Sequence, residues 1–135
     1  MSERQHSGRC ACGAVRFRVE AEPTDVIVCH CQTCRRWSGY FWGATHVSRE
    51  ALSIEAGDTL TWWASSDLAE RGFCSPCGSS LFYRRHDVDR ISIAPGALEL
   101  PTGLATTRHI CVAEAGDYYD LDSSIPQNSG PELGS

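Results

Sequence analysis

Cys29, Cys31 and Cys34 stand in the stretch CHCQTCRRWSG, three thiols at C-x-C-x-x-C spacing. Thiols this close in sequence make strained disulfides but chelate a single ion well, so the chemistry they suggest is metal binding. A tetrahedral zinc site needs a fourth donor. The sequence offers a histidine, Cys111 or a carboxylate, and a molecule from outside is the remaining choice. Catalytic zinc sites characteristically use three protein ligands and leave the fourth position to water or substrate. A structural reading instead closes the corner with Cys111 or a histidine. His30 is poorly placed for that, because its ring should project away from its two binding neighbours.

Four further cysteines form two pairs. FCSPCGSSL carries the CxxCG knuckle of Cys74 and Cys77, and RCACG carries Cys10 and Cys12. Glycine follows each pair, permitting the left-handed backbone that turns amides toward sulfur. Neither pair completes a tetrahedron alone; together they make a four-thiolate site. In a lightly cored β-domain such a clip contributes folding free energy directly. Iron in a rubredoxin-like site would call for two CxxC pairs, and a thioredoxin-like role for CSPC would call for a surrounding βαβ pattern.

The rest of the composition fits this chemistry. The chain has 135 residues and 8 cysteines, seven of them in the tight clusters. The opening MSERQHSGRCACG lacks the apolar core of a secretory signal, and no run approaches the ~20 apolar residues of a membrane helix. A cytoplasmic protein is expected, and in a reducing compartment clustered thiols favour metal over disulfides. The formal net charge is -5 and all 12 basic residues are arginine, a poor basis for nucleic-acid binding.

These ligands must be positioned mostly by strands. AVRFRVE alternates Val15, Phe17 and Val19 against Arg16, Arg18 and Glu20, the period of a half-buried strand. Val26–Val28, Phe41–Val47, Leu52–Ala56, Leu60–Ser65, Leu81–Tyr83, Asp89–Ala94 and His109–Val112 are further short candidates, β-branched or aromatic and punctuated by Gly, Asp or Pro. Gln32–Trp37 and Ser66–Glu70 suggest single helical turns. The expected fold is a small, mainly β domain with inserted knuckles. The polar SSIPQNSGPELGS from Ser123 onward reads as a flexible tail over 123–135.

CHCQTCRRWSG resembles the Cys-His-Cys-x-x-Cys-Arg-x-x-x-Gly signature of the glutathione-dependent formaldehyde-activating family. GRCACGAVRF, RGFCSPCGSSLFY and ISIAPGALE, followed by His109-Ile110, resemble that family's other segments in the same order. The resemblance spans residues 7–122, as one domain. It implies a β-tent fold and two zinc ions, a structural one on Cys10, Cys12, Cys74 and Cys77 and a catalytic one on Cys29, Cys31 and Cys34. It also implies a carbon–sulfur lyase that joins glutathione to formaldehyde as S-hydroxymethylglutathione, reversibly. An open zinc position suits that reaction by holding a thiol as thiolate beside a small carbonyl.

Glutathione brings two carboxylates, for which Arg35 and Arg36, or Arg84 and Arg85, are candidate partners. Trp37, Tyr40, Phe41 and Trp42 would wall the pocket or pack in the core. His109 reads as a supporting or core residue. The chain departs from the family at Cys111, read as a small buried hydrophobe, and in the acidic AEAGDYYDL. The fourth corner is assigned to a small molecule. A second reading is a non-enzymatic zinc module that binds a partner protein.

Overall fold

The protein is described by a computed structural model covering residues 5–131. Its strands are β1 (His6–Arg9), β2 (Arg16–Val19) and β3 (Val26–Cys29), followed by one helix, α1 (Gln32–Ser38). Then come β4 (Trp42–Val47), β5 (Leu52–Ala56), β6 (Leu60–Ala64) and β7 (Ala69–Cys74). The last are β8 (Ser80–Arg85), β9 (Ile91–Ile93) and β10 (Thr106–Ile110). The protein is mainly β, as expected, and the chain packs as two compact units. One is Met1–Thr24 with Thr45–Gly103, and the other is Asp25–Ala44 with Leu104–Ser135. Among the described residues no helix is long and apolar enough to cross a membrane.

The first unit contains the antiparallel sheet β1-β2-β5 and the antiparallel run of β9, β8, β7 and β6 beside the second half of β4. The alternation read in β2 is obeyed, with Phe17 and Val19 buried and Arg16 and Arg18 exposed. Phe17 meets Phe82 edge-on at 5.1 Å between centroids, in a core shared with Val15, Leu81 and Ile93. Such an aromatic pair contributes about 0.5–1.5 kcal/mol beyond its buried area.

β1 was not anticipated, because HSGR shows no apolar alternation. It forms because Gly8 stands opposite Phe17 in the ladder and leaves room for the ring. A Cβ at Gly8 would fall 2.3 Å from the Phe17 ring. Gly8→Ala is therefore expected to destabilise the protein by roughly 1–3 kcal/mol, the usual range for overpacking. A lowered midpoint in chemical denaturation would show it; an unchanged midpoint would mean that the ring yields freely.

The helical turn expected over Ser66–Glu70 is absent. Those residues make the bend between β6 and β7, where the Ser66 hydroxyl accepts from the N–H groups of Leu68 and Ala69 at 3.2 and 3.1 Å. A serine competing for backbone in this way favours a turn over a helix.

In the second unit β3 runs antiparallel to the first half of β4 and parallel to β10. Ile110 lies opposite Cys29 in the parallel ladder. Part of the expected loose tail is tied down here. His109 N–H donates to Pro126 O at 3.0 Å, Asn128 N–H donates back to His109 O at 2.9 Å, and Cys111 N–H donates to Gly130 O at 2.9 Å. Residues 132–135 of that tail lie outside the described ones.

Candidate metal centres

Each cysteine cluster sits where a strand stops. Cys74 ends β7, and the knuckle turns back with Gly78 N–H donating to Cys74 O at 2.7 Å. Gly78 holds a left-handed φ of 78° and Gly13, after Cys12, one of 82°. The turn from Cys10 is closed by Gly13 N–H to Cys10 O at 3.1 Å, and Val15 N–H points at the Cys10 sulfur at 3.2 Å. Ala11 N–H donates to the Ser79 hydroxyl at 2.9 Å, fastening one knuckle to the other.

Cys10, Cys12, Cys74 and Cys77 bring their Sγ atoms within 4.8 Å of one another. Cys12 lies 3.7 Å from both Cys10 and Cys74. Zinc–sulfur bonds of about 2.3 Å would put tetrahedral sulfurs about 3.8 Å apart, so the spacing fits such an ion. The thiols are unequal. The Ser79 hydroxyl, 3.2 Å away, and the Ser79 backbone N–H lower the Cys77 thiol to about 5. The Ala14 N–H favours a Cys12 thiolate, yet burial and the crowd of Cys10, Cys74 and Cys77 leave it raised to about 11. Clustered sulfurs share protons reluctantly, and a cation at their centre removes the conflict.

Cys29, Cys31 and Cys34 form the second group within 4.8 Å. Cys29 ends β3. Cys31 is the N-cap of α1, and its sulfur accepts from Cys34 N–H at 3.3 Å. The C-x-x-C spacing therefore places cap and third helical residue on one turn, with Cys31 in the role usually taken by serine or aspartate. Gly39 closes the helix at a left-handed φ of 90°. The Cys29 thiol is pushed far above its ordinary range by hydrogen bonds with Cys31 and Cys34 and then by burial. This cluster also fits a cation.

His30 is fully buried, and both of its ring nitrogens have partners outside the cysteine cluster. Its Nδ1 meets the Tyr119 hydroxyl at 2.5 Å and its Nε2 meets His109 Nδ1 at 2.9 Å. Burial first, then the neighbouring His109, lowers His30 from its ordinary value. Sequence reasoning missed Tyr119 as its partner, and nothing in the spacing signals a contact across so many residues. It also missed Glu114, whose carboxylate accepts from Gln32 N–H at 2.9 Å as α1 begins.

The candidate arginines separate into two kinds. Arg84 is engaged by Glu70 at 2.5 Å and lies 3.7 Å over the Trp62 ring, while Arg85 is engaged by Asp87 at 2.7 Å. Both are thereby committed to structural partners. Arg35 and Arg36 follow Cys34 on α1. The Arg35 Nε is buried with no hydrogen-bond partner, whereas Arg36 is exposed. Burial raises the Tyr119 phenol although Arg35 acts against it. Trp37 stacks obliquely on Trp42 at 5.6 Å. Tyr40 and Phe41 join Tyr119, at 4.9 and 5.5 Å, in an aromatic cluster.

Comparison with known proteins places this arrangement. An uncharacterized lyase of Schizosaccharomyces pombe is 32% identical over 79 residues, covering 58% of this chain and 57% of its own. A Halomonas elongata protein that carries the name "Putative glutathione-dependent formaldehyde-activating enzyme" is 37% identical over 83 residues, 56% of this chain and 53% of that one. The chain thus spans a little over half the length of these curated relatives. A crystal structure of a Rhodobacter sphaeroides protein superposes with a TM-score of 0.58 at 27% identity, covering 74% of this chain and 97% of that one. The family model described as glutathione-dependent formaldehyde-activating enzyme matches residues 5–114, a span that contains all eight cysteines, and to that family this chain belongs.

Proposed function

We propose that the protein is a zinc-dependent carbon–sulfur lyase that joins glutathione to formaldehyde, reversibly, in a reducing compartment such as the cytoplasm. The observation that carries this reading is the inequality of the two clusters: one brings four sulfurs together, the other only three. The family match and the lyase name of the S. pombe relative support the reaction class. Zinc held by Cys29, Cys31 and Cys34 would supply the positive charge that keeps a thiol ionised at neutral pH.

The chain's own residues do the rest. α1 sets Cys31 and Cys34 on one turn, so their spacing is set by the backbone before substrate arrives. Arg35 and Arg36 are the proposed partners of the glutathione carboxylates, and the unpaired Nε of Arg35 supports that assignment. Trp37, backed by Trp42, is the proposed wall for the peptide. In the reaction the thiol sulfur forms a bond to the formaldehyde carbon, the carbonyl π pair moves to oxygen, and the thiol proton ends on that oxygen as S-hydroxymethylglutathione. The remaining four cysteines are proposed to hold a structural zinc.

The uncatalysed addition already runs in water, so the test is a rate. Exchange of carbon-13 formaldehyde with its glutathione adduct, followed by NMR, is expected to accelerate in proportion to enzyme added. An exchange rate equal to that in buffer, across several thiols, would favour the partner-binding zinc module instead.

A further inference from the structure

The eighth cysteine has no place in either cluster. We propose that Cys111 is a displaceable fourth sulfur ligand for the ion held by Cys29, Cys31 and Cys34, bound there whenever no outside thiol occupies that position. This deepens the proposed function and rests on reading that cluster as a metal site.

Placement comes first. β10 lies parallel to β3 with Ile110 opposite Cys29, and His30 N–H donates to Ile110 O at 3.0 Å. Cys111 is the residue that follows the end of β10, one place beyond the partner of Cys29 in the ladder, and while burial raises its thiol the neighbouring Cys29 acts against that rise. Cys111 is 8% exposed. Cys111 is also fixed from behind. Its N–H donates to Gly130 O, Val112 N–H donates to Asn128 O at 3.1 Å, and Glu114 holds the start of α1. The strand end that carries Cys111 and the helix that carries Cys34 are therefore tied together.

Backbone conformation is the second observation. Cys111 has φ 56° and ψ 36°, the one left-handed non-glycine among the described residues. Such a conformation costs a β-carbon-bearing residue roughly 1–2 kcal/mol. It turns the chain at the first residue beyond β10, directly after the strand position paired with Cys29. A cysteine present only as a small apolar filler has no need of that strain, since a glycine or asparagine would sit there more easily.

The same geometry explains why the ligand is displaceable. Cys111 stands outside the group of three sulfurs that lie within 4.8 Å of one another, so a rotation about its χ1 must bring it onto the ion. It is the least preorganised of the four. A tethered thiol acts at an effective concentration in the millimolar range, so an outside thiol must compete with it.

The test uses the full chain loaded with metal. X-ray absorption on the zinc-loaded wild type should count four sulfurs at both ions. Cys111→Ala and Cys111→Gly should show one sulfur fewer at one ion, and glycine also relieves the left-handed strain, so folding is preserved. Glutathione titrated into the cobalt-loaded proteins should perturb the thiolate charge-transfer bands at concentrations about tenfold lower in the variants, once the internal competitor is gone. Equal sulfur counts and equal glutathione affinities in wild type and variants would overturn the assignment of Cys111 while leaving the lyase reading intact. The converse result, a lost sulfur in the variants with no response to glutathione in any protein, would uphold Cys111 as a ligand and sink the lyase reading.

Discussion

Cys74→Ser is expected to remove one zinc per chain and to unfold the unit that contains β7 and β8. Cys74 is fully buried at the end of β7, 3.7 Å from Cys12, with the Thr59 hydroxyl 3.5 Å from its sulfur. A serine hydroxyl does not ionise near neutral pH and is a poor substitute for thiolate. Structural zinc contributes roughly 10–16 kcal/mol to folding in small zinc-binding peptides. The net stability of an ordinary domain is only about 5–15 kcal/mol. Even a fraction of the metal contribution therefore decides whether the unit folds. Metal analysis and a thermal melt read the outcome together. Wild-type melting with one zinc lost would show that the clip is dispensable, and melting unchanged with both ions retained would refute the four-sulfur site.

Cys31→Ser should behave differently. Serine is a preferred N-cap, so its hydroxyl can take over the Cys34 N–H that the Cys31 sulfur now accepts. α1 keeps its start, and the substitution separates metal loss from helix loss. One zinc is expected to go, the catalysed exchange of formaldehyde with its glutathione adduct to fall to the rate in buffer, and unfolding to remain cooperative. The contrast between the two variants is the informative result. If both lose the fold, the second cluster is structural as well. If Cys31→Ser keeps full activity, the reaction does not depend on that cluster.

Much of this was legible in the residues. The alternation in β2 and the short β-branched runs marked most strands, because strand burial repeats every second residue. The pairing of Cys10 and Cys12 with Cys74 and Cys77 followed from spacing and from the glycine after each pair. What escaped was set by contacts between distant residues. β1 exists because Gly8 yields to the Phe17 ring, and no local pattern records that. β7 opens with Ala69, Glu70 and Arg71, residues of ordinary helix preference, and strand pairing on both sides overrides it. The neighbourhood of Cys29 and Cys111 depends on a parallel ladder between strands some eighty residues apart, for which period and propensity carry no signal.

The hydrogen bonds between His109 and residues 126–128 have a consequence for how the protein behaves in company. β10 is the terminal strand of its ladder, and its outer side would otherwise offer a row of free amides and carbonyls. Such a margin is a template on which a second molecule can add a strand, a route from a folded β-protein to an aggregate. The parallel bridge between His109 and Gln127 occupies it at His109. The polar stretch after Ser123 thus shields part of the outer margin of β10 from strand addition.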